Sequence, residues 1–439
     1  MQPSAPTVGP SLAAGPGPIR TAGGSLAARA ASGAARILGG SRGVVLGQAV
    51  FAASQAAILM ILAHRGQLET IGVFTAGLAI FGPLCLVASL NSRILIVIAA
   101  APDLGPRTAF RLRGIAVLAS AAVTALALIP VAPDAWTLLA AGLLIGTRAA
   151  DQLSDVSIGF YQREGRTNLI SRSFAVRGLA ALSAFIAVLV PFDNVPVASA
   201  AAAVAATSAV LLLEVRPLLA RFPDHEQAPG IWSTLRALVR FPAAFFPFVD
   251  SLHTNAIRYA LVQVTSAQFL GLFGVAQALF SPFQLLTTAI GYQRLSLSKS
   301  LAERQDLPGL RRQAIRGLGL GLGLSLLFTA GALLVPHAVL ALVVGDSVEA
   351  TRDAMIKVGV AMFFWAPNAM VAHPVIAMNR QSSYLLAPLV SLLAFAGAVV
   401  GLHLWGTGTS VWLTVLLFSG SFLIRVVWCL VVVWRPAAR

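Results

Sequence analysis

The sequence predicts an all-α polytopic membrane protein of about twelve transmembrane helices, arranged as two parallel six-helix repeats. Three observations carry that prediction. The 439 residues are 57% hydrophobic and only 11% charged, with a mean hydropathy of +0.83, which leaves too little polar surface for a soluble chain of this size. The arginines gather in alternate loops. Finally, Gly72-Val73-Phe74 followed by Ala79-Ile80-Phe81-Gly82-Pro83 reappears as Gly271-Leu272-Phe273 followed by Ala278-Leu279-Phe280-Ser281-Pro282, at a constant offset of 199.

Apolar runs of roughly 20 residues, the length that crosses the hydrocarbon core, fall at 43–63, 71–91, 114–132, 136–158, 176–193, 195–215, 241–262, 268–290, 315–335, 354–376, 383–404 and 410–433. The first run carries Gln48 and Gln55, which either line a cavity or bond between helices. The second and eighth hold the two copies of the repeat, each with a proline that a membrane bundle tolerates where a soluble helix would break. Such interrupted segments at corresponding positions of two halves point to a transporter's binding site. The ninth run holds Gly317, Gly319, Gly321 and Gly323. No strand precedes them and no Gly-Lys-Ser/Thr follows, so close helix packing is expected rather than a phosphate loop. Cys85 and Cys429 lie within spans as small packing residues, and Gly406-Thr407-Gly408-Thr409 reads as a tight turn.

A net charge of +15 raises the possibility of nucleic acid, but its placement excludes that partner. With the N-terminus cytoplasmic, the inner segments hold nearly all the arginines, among them Arg42, Arg93, Arg163, Arg177, Arg240, Arg294 and Arg435. The outer ones hold only Arg65, Arg352 and Lys357, with Arg258 at the edge of a span. This is the positive-inside bias, and it places both termini in the cytoplasm.

The domain organisation expected from composition is a disordered tail over 1–37, a first six-helix lobe over 38–216, a cytoplasmic linker with an amphipathic helix over 217–240, a second lobe over 241–434 and a short tail over 435–439.

Ionisable residues inside spans cost about 2.5–3.5 kcal/mol each at a helix centre and face an interior or a cavity. In the fourth span Arg148, Asp151, Gln152 and Asp155 share a stripe, and an Arg148–Asp151 pair that only supports packing is an equally good reading. In the seventh, Asp250, His253, Asn255 and Arg258 cluster, and Arg258 has no acid in its own turn. That makes Arg258 the foremost candidate for an anionic substrate, against the alternative that it snorkels to the outer interface. Asp250, Asp155 and Asp151 are candidate ion-coupling groups. There is no metal-ligand spacing and no nucleophile elbow, so neither a cofactor nor covalent chemistry is expected.

Leu252-His253-Thr254-Asn255-Ala256-Ile257-Arg258-Tyr259, then Leu270-Gly271-Leu272-Phe273-Gly274, then Gly291-Tyr292-Gln293-Arg294-Leu295-Ser296 resemble the start of the second half of O-antigen flippases and related polysaccharide exporters. Leu153-Ser154-Asp155, Tyr161-Gln162-Arg163 and Arg177-Gly178-Leu179 are similar to that family's fourth span and its approach to the fifth. The resemblance runs over most of residues 43–433 and rests on short motifs.

It implies the fold of the multidrug, oligosaccharide-lipid and polysaccharide exporter superfamily, two six-helix lobes in a V around a cavity. It also implies transport of a polyprenyl-diphosphate-linked glycan across a bacterial inner membrane for surface polysaccharide such as lipopolysaccharide O-antigen, with a polysaccharide polymerase as candidate partner. On that reading Arg42, Arg93 and Arg177 form a basic inner rim, while Arg258, Asn255, His253, Arg148, Gln48 and Gln55 face the cavity. One departure stands: Arg148, Arg258 and Arg425 are matched in number by Asp151, Asp155 and Asp250, so the sequence does not establish a cationic cavity. A cation-coupled drug antiporter of the same fold is the rival reading. A membrane-embedded glycan polymerase or ligase lacks the catalytic outer loop it would need, and a scaffold leaves the polar stripes unexplained.

Overall fold

The structure, a computed structural model, describes residues 40–88, 93, 96, 105–221, 246–378, 380–405 and 410–435. The amino-terminal tail, the amphipathic stretch of the linker and the Gly406–Thr409 turn lie outside the described residues.

Regular structure among the described residues is entirely helical. The first half comprises α1 (Gly40–His64), α2 (Leu68–Ala88), α3 (Pro106–Leu128), α4 (Ala135–Arg163), α5 (Thr167–Phe192) and α6 (Val195–Arg221), the last with a π-helical turn at Leu211–Val215. The second half comprises α7 (Phe246–Val264), α8 (Ala267–Glu303), α9 (Leu307–Leu334), a short α10 (His337–Val344), α11 (Val348–Ala361) and α12 (Trp365–Ala377) as one interrupted span, α13 (Gln381–Leu404) and α14 (Val411–Trp434). Helix starts are written into the loops. Asp134, Asn194, Ser266, Asp306 and Ser410 each accept a hydrogen bond from a backbone N–H three residues on, which satisfies an orphan donor of the first turn. Asp134 also accepts from the Thr137 hydroxyl, and the bonds to Thr137 hold its carboxyl below the ordinary aspartate range.

Among the described residues, ten segments are long and apolar enough to cross a membrane. α4 and α7 are not among them, because each carries several polar side chains in its middle; these are the two stripes singled out above. Large apolar residues point away from the bundle, as Leu118 at 72% exposed and Leu327 at 70% show, whereas arginines and serines lie inside it. A polytopic membrane protein has this arrangement.

Both halves are wired alike. In the first, α1 packs on α5, α5 on α6, α6 on α4, and α2, α3 and α4 on one another. In the second, α7 packs on α13, α13 on α14, α14 on α12, and α8, α9 and α12 on one another. Small residues permit the tight contacts: a Cβ on Gly178 would lie 2.8 Å from Phe51 Cα, and one on Gly321 would lie 2.5 Å from Pro367 Cα. Gly317 and Gly321 thus serve packing, while Gly319 and Gly323 face open space. Cys85 and Cys429 are buried free thiols.

The halves meet where α2 crosses α8, and the crossing is reciprocal. A Cβ on Gly72 would overlap the Ala267 carbonyl, and one on Gly271 would overlap the Leu68 carbonyl. Residues 68 and 267 differ by 199, as do 72 and 271. Gly274 abuts Thr75, and Gln268 Nε2 donates to Glu69 at 3.1 Å, both again pairs at that offset. The contact is isologous within one chain, the mark of a pseudo-twofold axis. Pro83 and Pro282 sit inside the equivalent helices α2 and α8. Because a side chain has no room at the crossing, Gly72→Ala is expected to lower stability by about 1–3 kcal/mol. Gly319→Ala, in open space on a helix, is expected to be neutral or to gain up to about 1 kcal/mol. Thermal unfolding in detergent checks both; equal melting of the Gly72 variant and wild type would contradict the close crossing.

An arginine cluster between the lobes as the candidate functional site

Four arginines of the first half share three carboxylates. Asp155 on α4 receives Arg113 from α3 at 3.1 Å and Arg93 at 3.2 Å. Asp151, one turn earlier, pairs with Arg148 at 3.3 Å and with Arg177 of α5 at 3.1 Å. Arg177 also reaches Glu214 at 3.5 Å and lies over the rings of Phe51 and Phe174. Glu214 is carried on the π-helical turn of α6, where the extra backbone residue re-aims a side chain. It is 1% exposed and accepts from Ser154 and Ser173 hydroxyls.

Arg177, expected at the rim, is therefore an internal brace, 2% exposed. Its guanidinium stays off the surface because two carboxylates and two aromatic faces satisfy it there. Arg93 is one-third exposed and also bonds Gln162. Arg42 lies in α1, with its side chain outside the described residues.

In the second half, Asp250 of α7 binds Arg425 of α14 at 2.6 Å. Arg425 donates to His253 Nδ1 at 3.1 Å, so Nε2 carries the proton and donates to Ser421 Oγ at 2.8 Å; Ser421 in turn donates to the Phe418 carbonyl. His253, expected to face a cavity, is fully buried in this relay between α7 and α14. Its neighbour Asn255 does not follow it inward. Lys357, expected in an outer segment, lies instead within α11, 6% exposed, paired with Asp353 and placed over the Trp412 ring.

Arg258 differs from Arg93, Arg113, Arg148, Arg177 and Arg425, each of which binds a carboxylate. Its Nη1 donates to Asn255 Oδ1 at 2.6 Å, its Nε donates to Gln277 Oε1 of α8 at 3.1 Å, and its Nη2 donates to the same oxygen. Both partners are neutral amides. Among the described residues no carboxylate lies within ion-pair distance of it, because Asp250, the nearest acid in sequence, is held by Arg425. Tyr259 donates to the Ala79 carbonyl and so ties α7 to α2.

The guanidinium is half-buried and fixed at its inner edge, with one hydrogen left on each terminal nitrogen. Two such donors in a rigid plane match two oxygens of a phosphate. Gln48 is half-buried and Gln55 is 9% exposed, on one stripe of α1 beside the face that packs on α5. Among the described residues there is no cluster of side chains suited to a metal ion.

Sequence reasoning missed Gln277 and the role of Glu214. Glu214 had a signal, a lone acid following Leu211-Leu212-Leu213 in an apolar run. A glutamine one turn beyond a repeated Gly-Leu-Phe step carries none.

No family model matches the chain, and no curated protein sequence matches it. Solved structures are similar in fold. An inward-facing multidrug resistance MATE family transporter of the MOP superfamily aligns with TM-score 0.58 at 12% identity, over 93% of this chain and 99% of that one. The Vibrio cholerae MATE transporter VcmN in its bent form aligns with TM-score 0.53 at 14% identity, over 92% and 96%. The lipid II flippase MurJ, in an inward closed conformation, aligns with TM-score 0.51 at 12% identity, over 93% and 87%. The chain is thus a multi-pass helical membrane protein with the fold that these MATE and MurJ structures share.

Proposed function

We propose that the protein is a flippase that moves a polyprenyl-diphosphate-linked oligosaccharide from the inner to the outer leaflet of a bacterial cytoplasmic membrane, for surface polysaccharide synthesis. The observation that carries this reading is the guanidinium of Arg258, held by the neutral amides of Asn255 and Gln277 with no carboxylate within ion-pair distance among the described residues. A diphosphate cannot enter hydrocarbon bare; it needs cations and donors that replace its water. Arg258 supplies a planar fork, and Asn255 and Gln277 hold it in place. The arginine-rich end of the bundle is the cytoplasmic end, where it attracts the anionic headgroup. The prenyl tail stays in lipid.

The likeness to the lipid II flippase MurJ supports a lipid-linked substrate. The likeness to MATE transporters raises the antiporter alternative, but a coupling carboxylate must be free to exchange a cation. Asp151, Asp155 and Asp250 are each held by arginine, which favours an anionic cargo over a cationic one. Deleting the gene is expected to stop surface polysaccharide while its lipid-linked precursor accumulates in the inner leaflet. Normal polysaccharide in the deletion strain, with no precursor accumulation, would refute the proposal.

A further inference from the structure

The last helix, α14, packs on α12 and α13 and more loosely on α9, and it turns one stripe away from the bundle, where Leu423, Val427, Val431 and Trp434 are exposed. Two grooves flank that stripe. Between α13 and α14 lies a cavity of about 490 Å³, lined by Ser383 and Leu386 on one side and by α14 from Gly420 to Arg435 on the other. Trp428 Nε1 donates to the Ser383 carbonyl at 2.8 Å and ties the two walls together. Between α9 and α14 lies a second cavity, of about 380 Å³, lined by Ile315, Leu318, Leu430, Val431 and Trp434. Val431 lines both, so it forms the ridge between them. At a rise of about 1.5 Å per residue the first groove runs roughly 22 Å along α14, deeper than one leaflet's roughly 15 Å share of the hydrocarbon core.

Both grooves end on guanidiniums. The final carbonyls of a helix form its negative end, which would repel an anion. Here they are covered: Arg311 of α9 donates to the Trp434 carbonyl at 3.1 Å and lies over the Trp434 ring, while Arg380, just before α13, donates to the Val432 and Arg435 carbonyls. Arg435 itself is exposed and lines the first groove. Arg311 keeps a buried Nε with no hydrogen-bond partner among the described residues. Neither Arg311 nor Arg435 has a described carboxylate within ion-pair distance, and the acid nearest Arg311 in sequence on its own helix end, Asp306, is engaged in capping α9 through the Gly309 N–H. The helix ends meet here, and Trp434 with its arginines marks the level of the membrane surface.

Apolar grooves that face the bilayer are filled by lipid chains, and the charge at their mouths selects the lipid. A phosphate that carries a net negative charge satisfies the arginines, whereas a zwitterionic headgroup sets its own cation against them. Two grooves astride one ridge match two chains, whereas a prenyl lipid has one. We infer that this end of α14 binds an anionic glycerophospholipid, with one acyl chain in each groove and the phosphate held by Arg311 and Arg435. The site shares no residue with the Arg258 cluster and does not rest on the flippase reading.

The test titrates the full-length protein in nonionic detergent with dioleoyl phosphatidylglycerol or dioleoyl phosphatidylcholine and counts bound lipid by native mass spectrometry. Phosphatidylglycerol is expected to bind saturably and about tenfold or more tighter than phosphatidylcholine. Arg311→Ala and Arg435→Ala are each expected to weaken it about fivefold, the effect of one arginine at a membrane surface. Arg172→Ala, which removes an exposed arginine from the first half, is expected to leave it unchanged. Val431→Trp fills the mouths of both grooves with every charge in place, and it is expected to cost about fivefold or more. Arg435→Ala and Val431→Trp, both at exposed positions, decide the matter should Arg311→Ala fail to fold. Equal affinity for the two lipids overturns the inference, as does a preference that Arg172→Ala lowers as much as Arg435→Ala does. Tighter binding of a polyprenyl phosphate than of phosphatidylglycerol overturns it as well, by giving the grooves to a single-chain lipid.

Discussion

Replacing Arg258 with alanine is expected to abolish transport, and replacing it with lysine to impair transport almost as much, with both proteins inserted at wild-type levels. The alanine variant loses the uncompensated charge between the lobes. Lysine restores a charge but not the plane: Gln277 Oε1 now accepts from Nε and Nη2 together, and a single ammonium cannot hold that oxygen and still present two parallel donors to a phosphate. A charge-assisted bond is worth about 1.5–3 kcal/mol, so loss of a bidentate pair corresponds to a drop of at least about a hundredfold in transport rate. Because Arg258 carries no ion pair among the described residues, its removal orphans no carboxylate, and the melting temperature is expected to hold. Transport by both variants at wild-type rates would assign Arg258 to the interface and not to the substrate.

The second large effect falls on stability. Arg177→Ala is expected to cost about 3–5 kcal/mol, the range for breaking a buried pair from one side. Asp151 and Glu214 lose their shared partner while both stay enclosed, and the stack on Phe51 and Phe174 goes with it. Adding Glu214→Gln to Arg177→Ala should return part of the loss, since the amide keeps the hydroxyl donors of Ser154 and Ser173 without a buried charge. Melting temperature and yield of the folded protein report both steps. An Arg177→Ala protein as stable as wild type would show that the guanidinium is not the brace described here.

The fold was legible because its signals are additive along the chain. Each of the twelve apolar runs overlaps a helix among the described residues, ten of them long and apolar enough to cross a membrane, and the offset of 199 reappears as the reciprocal Gly72 and Gly271 contacts. Charge pairing was not legible in the same way. Helical spacing exposes pairs within one rod, such as Arg148 with Asp151, but Arg177 finds Asp151 on another helix, and Arg425 finds Asp250 across 175 residues. Counting arginines against acids therefore left a cationic cavity unestablished, whereas in the structure the acids are held by Arg93, Arg113, Arg148, Arg177 and Arg425 and none by Arg258 among the described residues. His253 and Arg258 lie five residues apart and share a helix, yet one is buried against α14 and the other bonds Gln277 of α8. Only packing decides that.

The measurement closest to the central claim is leaflet exchange by the purified protein. In proteoliposomes loaded with a polyprenyl-diphosphate oligosaccharide, the wild type is expected to expose the inner-leaflet pool to an external glycan-modifying enzyme, and the Arg258→Ala protein is expected to leave that pool protected. Equal protection in both, with efflux of small cationic dyes by the wild type instead, would contradict the account.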